Sequence, residues 1–152
     1  GFSVWSYSIA NNFLATYSIG LTPTPILSES AYFCTRVSAA GNCEIWKINY
    51  ETGLEECVVS DPERSFASPL VSPDGKWLLM VGSSAIEFGA SRYWNTDIYA
   101  CHVDGTNLAQ LTYHAADDLS PIWSSDGKKI YFVSQRGDAE GMANIWCMDF
   151  NY

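Results

Sequence analysis

The chain repeats itself. SPLVSPDGKWLLMVG, from Ser68, and SPIWSSDGKKIYFVSQRG, from Ser120, share one order: Ser-Pro, a short apolar pair, a Ser-x-Asp-Gly turn, then an apolar run. A second pattern alternates with the first. Val4-Trp5, Ile45-Trp46, Ile98-Tyr99 and Ile145-Trp146 each open a β-branched, aromatic strand. The first three strands break at Asn11-Asn12, Thr52-Gly53 and Asp104-Gly105, residues that tolerate positive φ or bond their own backbone in a hairpin. Self-similarity at a fixed period restricts a chain to repeat architectures, in which each unit hides its apolar face on a neighbour.

The runs WLLMV and IYFV are apolar without alternation, which describes strands covered on both faces. No window carries a 3.6-residue period with caps. Pro25, Pro69 and Pro121 mark a period of roughly 40–50 residues, and four short strands in that length make a β-propeller blade. The expected fold is all-β: a partial propeller of about three four-stranded antiparallel blades, part of a ring of six to eight. Residues 1–18 are read as the outer strands of one blade, 24–60 and 68–113 as complete blades, and 119–152 as three strands of another. Pro121 is expected to start an innermost strand, where a ladder donor is dispensable. Such an arc leaves apolar faces open. The remaining blades of a larger protein, or a homodimer, would close the ring.

The segments SPLVSPDGKWLLMV and DLSPIWSSDGKKIYFVSQRG…ANIWCMD resemble the repeats of the TolB-like, WD-repeat-like propellers of bacterial periplasmic and secreted proteins. The resemblance covers almost the whole chain and is weaker in the first full repeat, which lacks Asp-Gly. It implies a periplasmic or extracellular, cell-envelope location.

A net charge of −9 argues against nucleic acid, which needs basic stripes, and no apolar run is long enough for membrane insertion as a helix. Cys34, Cys43, Cys57, Cys101 and Cys147 form no zinc spacing and are expected to be buried free thiols, with Cys34–Cys43 as the best disulfide candidate. No cofactor or metal is expected. No nucleophile elbow appears, because Gly82-Ser83-Ser84-Ala85 lacks the second glycine, so no catalytic residue is assigned.

In a propeller, the connections between blades and the loops between the two middle strands emerge on one face. Here that face would hold linkers 19–24, 61–67 and 114–119 and loops 37–42, 83–95 and 135–142. The longest loop, 83–95, holds Glu87, Phe88, Arg92, Tyr93 and Trp94, a composition typical of binding hot spots. The alternative is that Trp94 and Phe88 fold back on their own blade. Tyr113, His114, Asp117 and Asp118 reach the axial rim, where they could meet a ligand or cation or cap the linker. Arg136, followed by Asp138, is a further rim candidate that could instead tie blades together. Asp104-Gly105-Thr106-Asn107 reads as a plain turn, and His102 as an ordinary strand residue.

Two functions fit. One is a non-catalytic module presenting loops to a protein, peptide or glycan partner. The other is the accessory propeller of a larger enzyme, resembling those of prolyl-oligopeptidase-like hydrolases or oligogalacturonate lyases.

Overall fold

The computed structural model describes residues 3–8, 13–88, 91–137 and 141–151. For 3–8, 13–19, 86–88, 91 and 92 it gives the strand path without side chains. Every regular element among them is a β-strand, and the strands fall into four antiparallel sheets in chain order. The first pairs β1 (Ser3–Ser8) with β2 (Phe13–Ile19). The second is β3 (Leu21–Ile26), β4 (Ala31–Val37), β5 (Cys43–Asn49) and β6 (Glu55–Val59). The third is β7 (Arg64–Val71), β8 (Trp77–Phe88), β9 (Ser91–His102) and the two-residue β10 (Ala109–Gln110). The fourth is β11 (Asp118–Trp123), β12 (Lys129–Ser134) and β13 (Asn144–Asp149).

The unalternating apolar runs are explained by where their two faces go. In β8, Leu78 and Met80 pack with Phe33, Ile45 and Val59 of the second sheet. Leu79, between them, packs with Ile130, Phe132 and Phe150 of the fourth. One strand thus serves two cores, and neither face is left to water. Aromatics pack edge to face at and beside the joints: Trp77 on Phe150 at 5.3 Å crosses from the third sheet to the fourth, while Phe66 on Tyr99 at 5.3 Å lies within the third and Trp123 on Phe150 at 4.8 Å within the fourth.

The Ser-x-Asp-Gly turns are built alike. Gly75 N donates to Ser72 O and Gly127 N to Ser124 O, at 2.9 and 3.0 Å. Each serine hydroxyl donates to the turn aspartate, Asp74 or Asp126, at 2.6 Å and accepts from Trp77 N or Lys129 N at 2.9 Å. The glycines sit at φ 75° and 70°, the left-handed region where a Cβ is disfavoured.

The inner strands start earlier than the sequence suggests. Pro69 and Pro121 lie within β7 and β11, not at their starts. The residue before each proline is left-handed, Ser68 at φ 56° and Ser120 at φ 52°, and the register shifts there. A bulge lets the strand pass a residue that cannot donate to the ladder. In β3 the same bulge sits at Thr22 (φ 48°), so Pro23 rather than Pro25 occupies the repeated proline position. The bulged strands also join the sheets: Thr24 Oγ1 donates to Pro69 O at 2.6 Å, and Trp123 Nε1 to Leu70 O at 3.2 Å.

The cysteines need two corrections. Cys34 pairs with Trp46, and Cys43 with Val37. Three residues of ladder separate the two thiols, roughly 10 Å along the strands, beyond disulfide reach. Cys34 and Cys101 are buried, but Cys57 and Cys147 are exposed, on β6 and β13 at the edges of their sheets. Burial pushes the Cys101 thiol up to about 12.

Candidate binding face

The linkers and middle hairpins converge at one end of the sheets. At the second sheet, Asn42 Nδ2 donates to Asp61 O at 3.2 Å and to Pro62 O at 2.7 Å, pinning the β6–β7 linker to the β4–β5 turn. In that linker Asp61 accepts from Glu63 N at 2.8 Å and from Arg64 Nη1 at 2.9 Å. Burial alone would raise the Asp61 carboxyl, but these hydrogen bonds and the Arg64 charge outweigh it and hold the carboxyl below its ordinary value.

Residues 83–88 and 91–95 are strand, not loop. β8 and β9 run twelve residues each and stay paired, Ala85 with Trp94 and Ile86 with Tyr93, out to Phe88 with Ser91. Ser83 and Thr96 hydroxyls bond across the ladder at 3.0 Å, and Ile86, Phe88, Tyr93, Trp94 and Thr96 are residue types that suit strand. The hairpin therefore projects past its neighbours as a two-stranded arm. Trp94 is 60% exposed and Tyr93 57% exposed. The strand positions of Glu87, Phe88 and Arg92 lie on this arm, while their side chains lie outside the described residues. Between the arm and the second sheet is a cavity of about 450 Å³, lined by Asn42, Pro62, Glu63, Arg64, Ser84, Ala85 and Trp94. A second, of about 370 Å³, continues from Asn42 and Pro62 to Glu44 and Ser38.

The rim residues of the β10–β11 linker mostly serve the linker itself. His114 is exposed, and its Nδ1 accepts from Ala116 N at 3.0 Å. Its carbonyl accepts from Asn95 Nδ2 at 3.1 Å. Asp117, also exposed, accepts from Thr96 N at 2.8 Å and ties the linker to β9. Asp118 is closed to solvent and ion-paired with Arg136 within its own sheet, so Arg136 joins β11 to the end of β12 rather than one sheet to the next. The guanidinium lies 5.0 Å from the Phe132 ring centre and 5.7 Å from that of Trp146. Asp138 lies outside the described residues. Beneath, Asp97 accepts from Asn95, Gln110 and Thr112 in a buried network. Burial pushes the Asp97 carboxyl up, Thr112 opposes this, and the charge of Asp118 adds to the rise.

The structure thus joins Trp94 with the β6–β7 linker, leaves Tyr93 exposed on the other face of the arm, and separates both from buried Asp118 and its partner Arg136. Sequence reading missed Asn42, Glu63 and Arg64. The signal was there: all three lie in segments that the repeat places on this face. Among the described residues no three His, Cys, Asp or Glu side chains come close enough to hold a metal ion.

Stacked four-stranded antiparallel sheets whose bulged inner strands touch define a partial β-propeller. No family model matches the chain. By sequence it is 30% identical over 95 residues to the uncharacterised protein Atu1656 of Agrobacterium fabrum, covering 62% of this chain and 29% of that one. It is 40% identical over 53 residues to the Tol-Pal system protein TolB of Desulfosudis oleivorans, 35% of this chain and 12% of that protein. By structure it superposes on TolB from Acinetobacter baumannii with TM-score 0.70 at 20% identity, over 97% of this chain and 35% of that one. A putative TolB from Agrobacterium tumefaciens gives 0.67 at 21% identity, over 90% and 48%. An acylaminoacyl peptidase from Pyrococcus horikoshii gives 0.69 at 12% identity, over 99% and 28%. In fold, the chain is a TolB-like β-propeller. It spans less than a third of the curated relatives it matches.

Proposed function

We propose that the chain is a non-catalytic propeller module of a cell-envelope protein, which holds a protein partner against the face bearing the β8–β9 arm. The observation that carries this is Trp94, more than half exposed on a paired strand at the edge of a cavity built by two sheets, with Tyr93, equally open, on the other face of the same arm. Large aromatics held on a ladder lose little side-chain freedom on binding, which is what makes such residues hot spots. Glu87, Phe88 and Arg92 extend the contact along the arm, and exposed His114 and Asp117 flank it on the linker of the next sheet. Asp118 and Arg136 act as positioning residues. The net charge of −9 favours a partner with basic patches. A peptide or glycan bound in the cavity is the finer form of the same reading. The superposition on a peptidase over 99% of this chain supports a second reading, in which the partner is a catalytic domain of the same protein.

Photo-crosslinking tests the reading. A benzoylphenylalanine at position 94, in cells, is expected to trap a defined protein adduct, while the same probe at Asp104, a turn at the opposite end, traps none. No adduct from positions 93 and 94, or equal adducts from position 104, would overturn it. A crosslink within the same polypeptide would select the accessory-domain reading.

A further inference from the structure

The arm offers its backbone as well as its aromatics. On β9, Thr96 N donates to Asp117 at 2.8 Å, Ile98 N donates to Thr112 Oγ1 at 2.9 Å, and Ile98 O accepts from Leu111 N at 2.8 Å. The even-numbered residues of β9 therefore turn their backbone groups away from β8. The odd-numbered ones turn theirs toward it, because the direction alternates along an antiparallel strand. Through the register, the even-numbered residues of β8 face β9 and the odd-numbered ones face β7. The bond from Ser72 N to Trp77 O, at 2.8 Å, agrees.

β7 follows that edge only as far as Arg64, opposite Ser84. Beyond it, Ala85 and Glu87 each aim an N–H and a carbonyl at the place where a longer β7 would lie. Among the described residues no strand fills that place. Asn42 Nδ2 donates to Pro62 O at 2.7 Å, so the incoming linker is tied to the second sheet rather than to β8. The edge lies in the third sheet, between two others, and is open because β8 outruns β7. Edges that must stay unpaired usually carry lysine or proline, and residues 85–88, Ala-Ile-Glu-Phe, carry neither.

We propose, building on the reading of this face as a protein-binding one, that an extended lysine- or arginine-bearing segment of the partner adds as a strand beside residues 85–88, collinear with β7. In strand addition, main-chain hydrogen bonds supply affinity and alternate side chains supply selectivity. Four residues at about 3.3 Å each make a slot of about 13 Å. The cavity of about 450 Å³ beside it takes side chains on the Trp94 side. Charge selects the occupant. Asp61 neutralises Arg64 at 2.9 Å, and Glu87 and Arg92 stand opposite each other in the register. That leaves Glu63 and Glu44 along the two cavities, in a chain of net charge −9. A basic segment is attracted on both counts, whereas an acidic segment, or the same edge of a second copy, is repelled.

Hydrogen exchange of the isotope-labelled 152-residue chain, read by NMR, tests this one amide at a time. In the free chain, Ala85 and Glu87 are expected to exchange at least about tenfold faster than Ile86, whose N–H faces β9. The probe is an end-capped peptide of about eight residues alternating lysine and threonine. At about 1 mM it should slow Ala85 and Glu87 at least about threefold and leave Ile86 unchanged. Glutamate in place of lysine should abolish the effect. Ala85→Pro removes an N–H that takes no part in the β8–β9 ladder, and should weaken peptide binding about tenfold or more with Ile86 still protected. If that variant unfolds the arm, peptides methylated on alternate backbone nitrogens replace it. One set should lose binding and the other keep it, and equal behaviour overturns the proposal. Ala85 and Glu87 already slow in the free chain, as pairing with a second copy would make them, overturns it too. So does a peptide that binds without slowing them, a glutamate peptide that binds as well, or no binding at all. A crosslink from position 94 would stand through any of these results, so the two readings fail separately.

Discussion

Ile45, Ile98 and Ile145 occupy one position of the repeat, so truncating each to alanine is a controlled comparison. The change deletes three methylene-sized groups. At about 0.8 kcal/mol each, transfer alone costs about 2.4 kcal/mol at a fully buried site. The hole left among Phe33, Phe66 and Leu78, or among Leu79, Ile130 and Phe132, adds to this, for a total of about 3–4 kcal/mol. Ile145 is 79% exposed, so only about a fifth of the transfer cost applies, about 0.5 kcal/mol. Urea unfolding followed by tryptophan fluorescence, at low micromolar protein, reads the difference. With a slope of about 2 kcal/mol per molar, Ile45→Ala and Ile98→Ala move the midpoint down by about 1.5–2 M, and Ile145→Ala by about 0.3 M. Three equal losses would refute the stacked-sheet assignment, because equivalent positions would then have equivalent surroundings.

Gly82→Ala should cost about 1–3 kcal/mol by thermal unfolding, since its Cβ would come within 2.5 Å of the Tyr99 ring and 2.9 Å of Phe66. Ser72→Ala removes the hydroxyl that caps Trp77 N and holds the Asp74 carboxyl below its ordinary value, costing about 1 kcal/mol near neutral pH. A lowered carboxyl stabilises the fold above its unfolded value and stops doing so as pH falls through the folded one. The gap between wild type and Ser72→Ala should therefore narrow in acid, as pH-dependent unfolding would show. Arg136→Ala leaves the Asp118 carboxylate buried without its ion-pair partner and should cost about 3 kcal/mol or more in urea; Arg136→Lys should not restore it fully.

The repeat was legible because its cause is local. Ser-x-Asp-Gly turns need particular φ values and particular side-chain acceptors, and these sit within five residues of one another. The doubly apolar runs were legible for a related reason: a strand sandwiched between sheets cannot alternate. The bulges were not. A proline signals where a ladder donor is lost, but not whether the strand ends there or bends past it. That depends on Ser68 and Ser120 reaching a left-handed φ and on the next sheet accepting the kink, as Pro69 O does from Thr24. The same limit moved the repeat mark in β3 from Pro25 to Pro23.

The arm shows why a candidate site is harder to read than a fold. Residues 83–95 contain Ser, Gly, Asn and Arg, and composition pointed to a loop. Their pairing is set by which residues of β8 and β9 face each other, and a single sequence does not display that register. Asp118 and Arg136 were misplaced for the converse reason: charge near a rim reads as exposed until the partner is known. Asp118 lies wholly inside because Arg136 reaches back across β11 and β12 to meet it, with Phe132 and Trp146 beneath the guanidinium. A binding face on this scaffold consists of what the ladder has already stiffened. Asp118 and Arg136 already satisfy each other within their sheet. This is why Trp94 and Tyr93 should carry the contact, and why changes at Asp118 should appear first as lost stability.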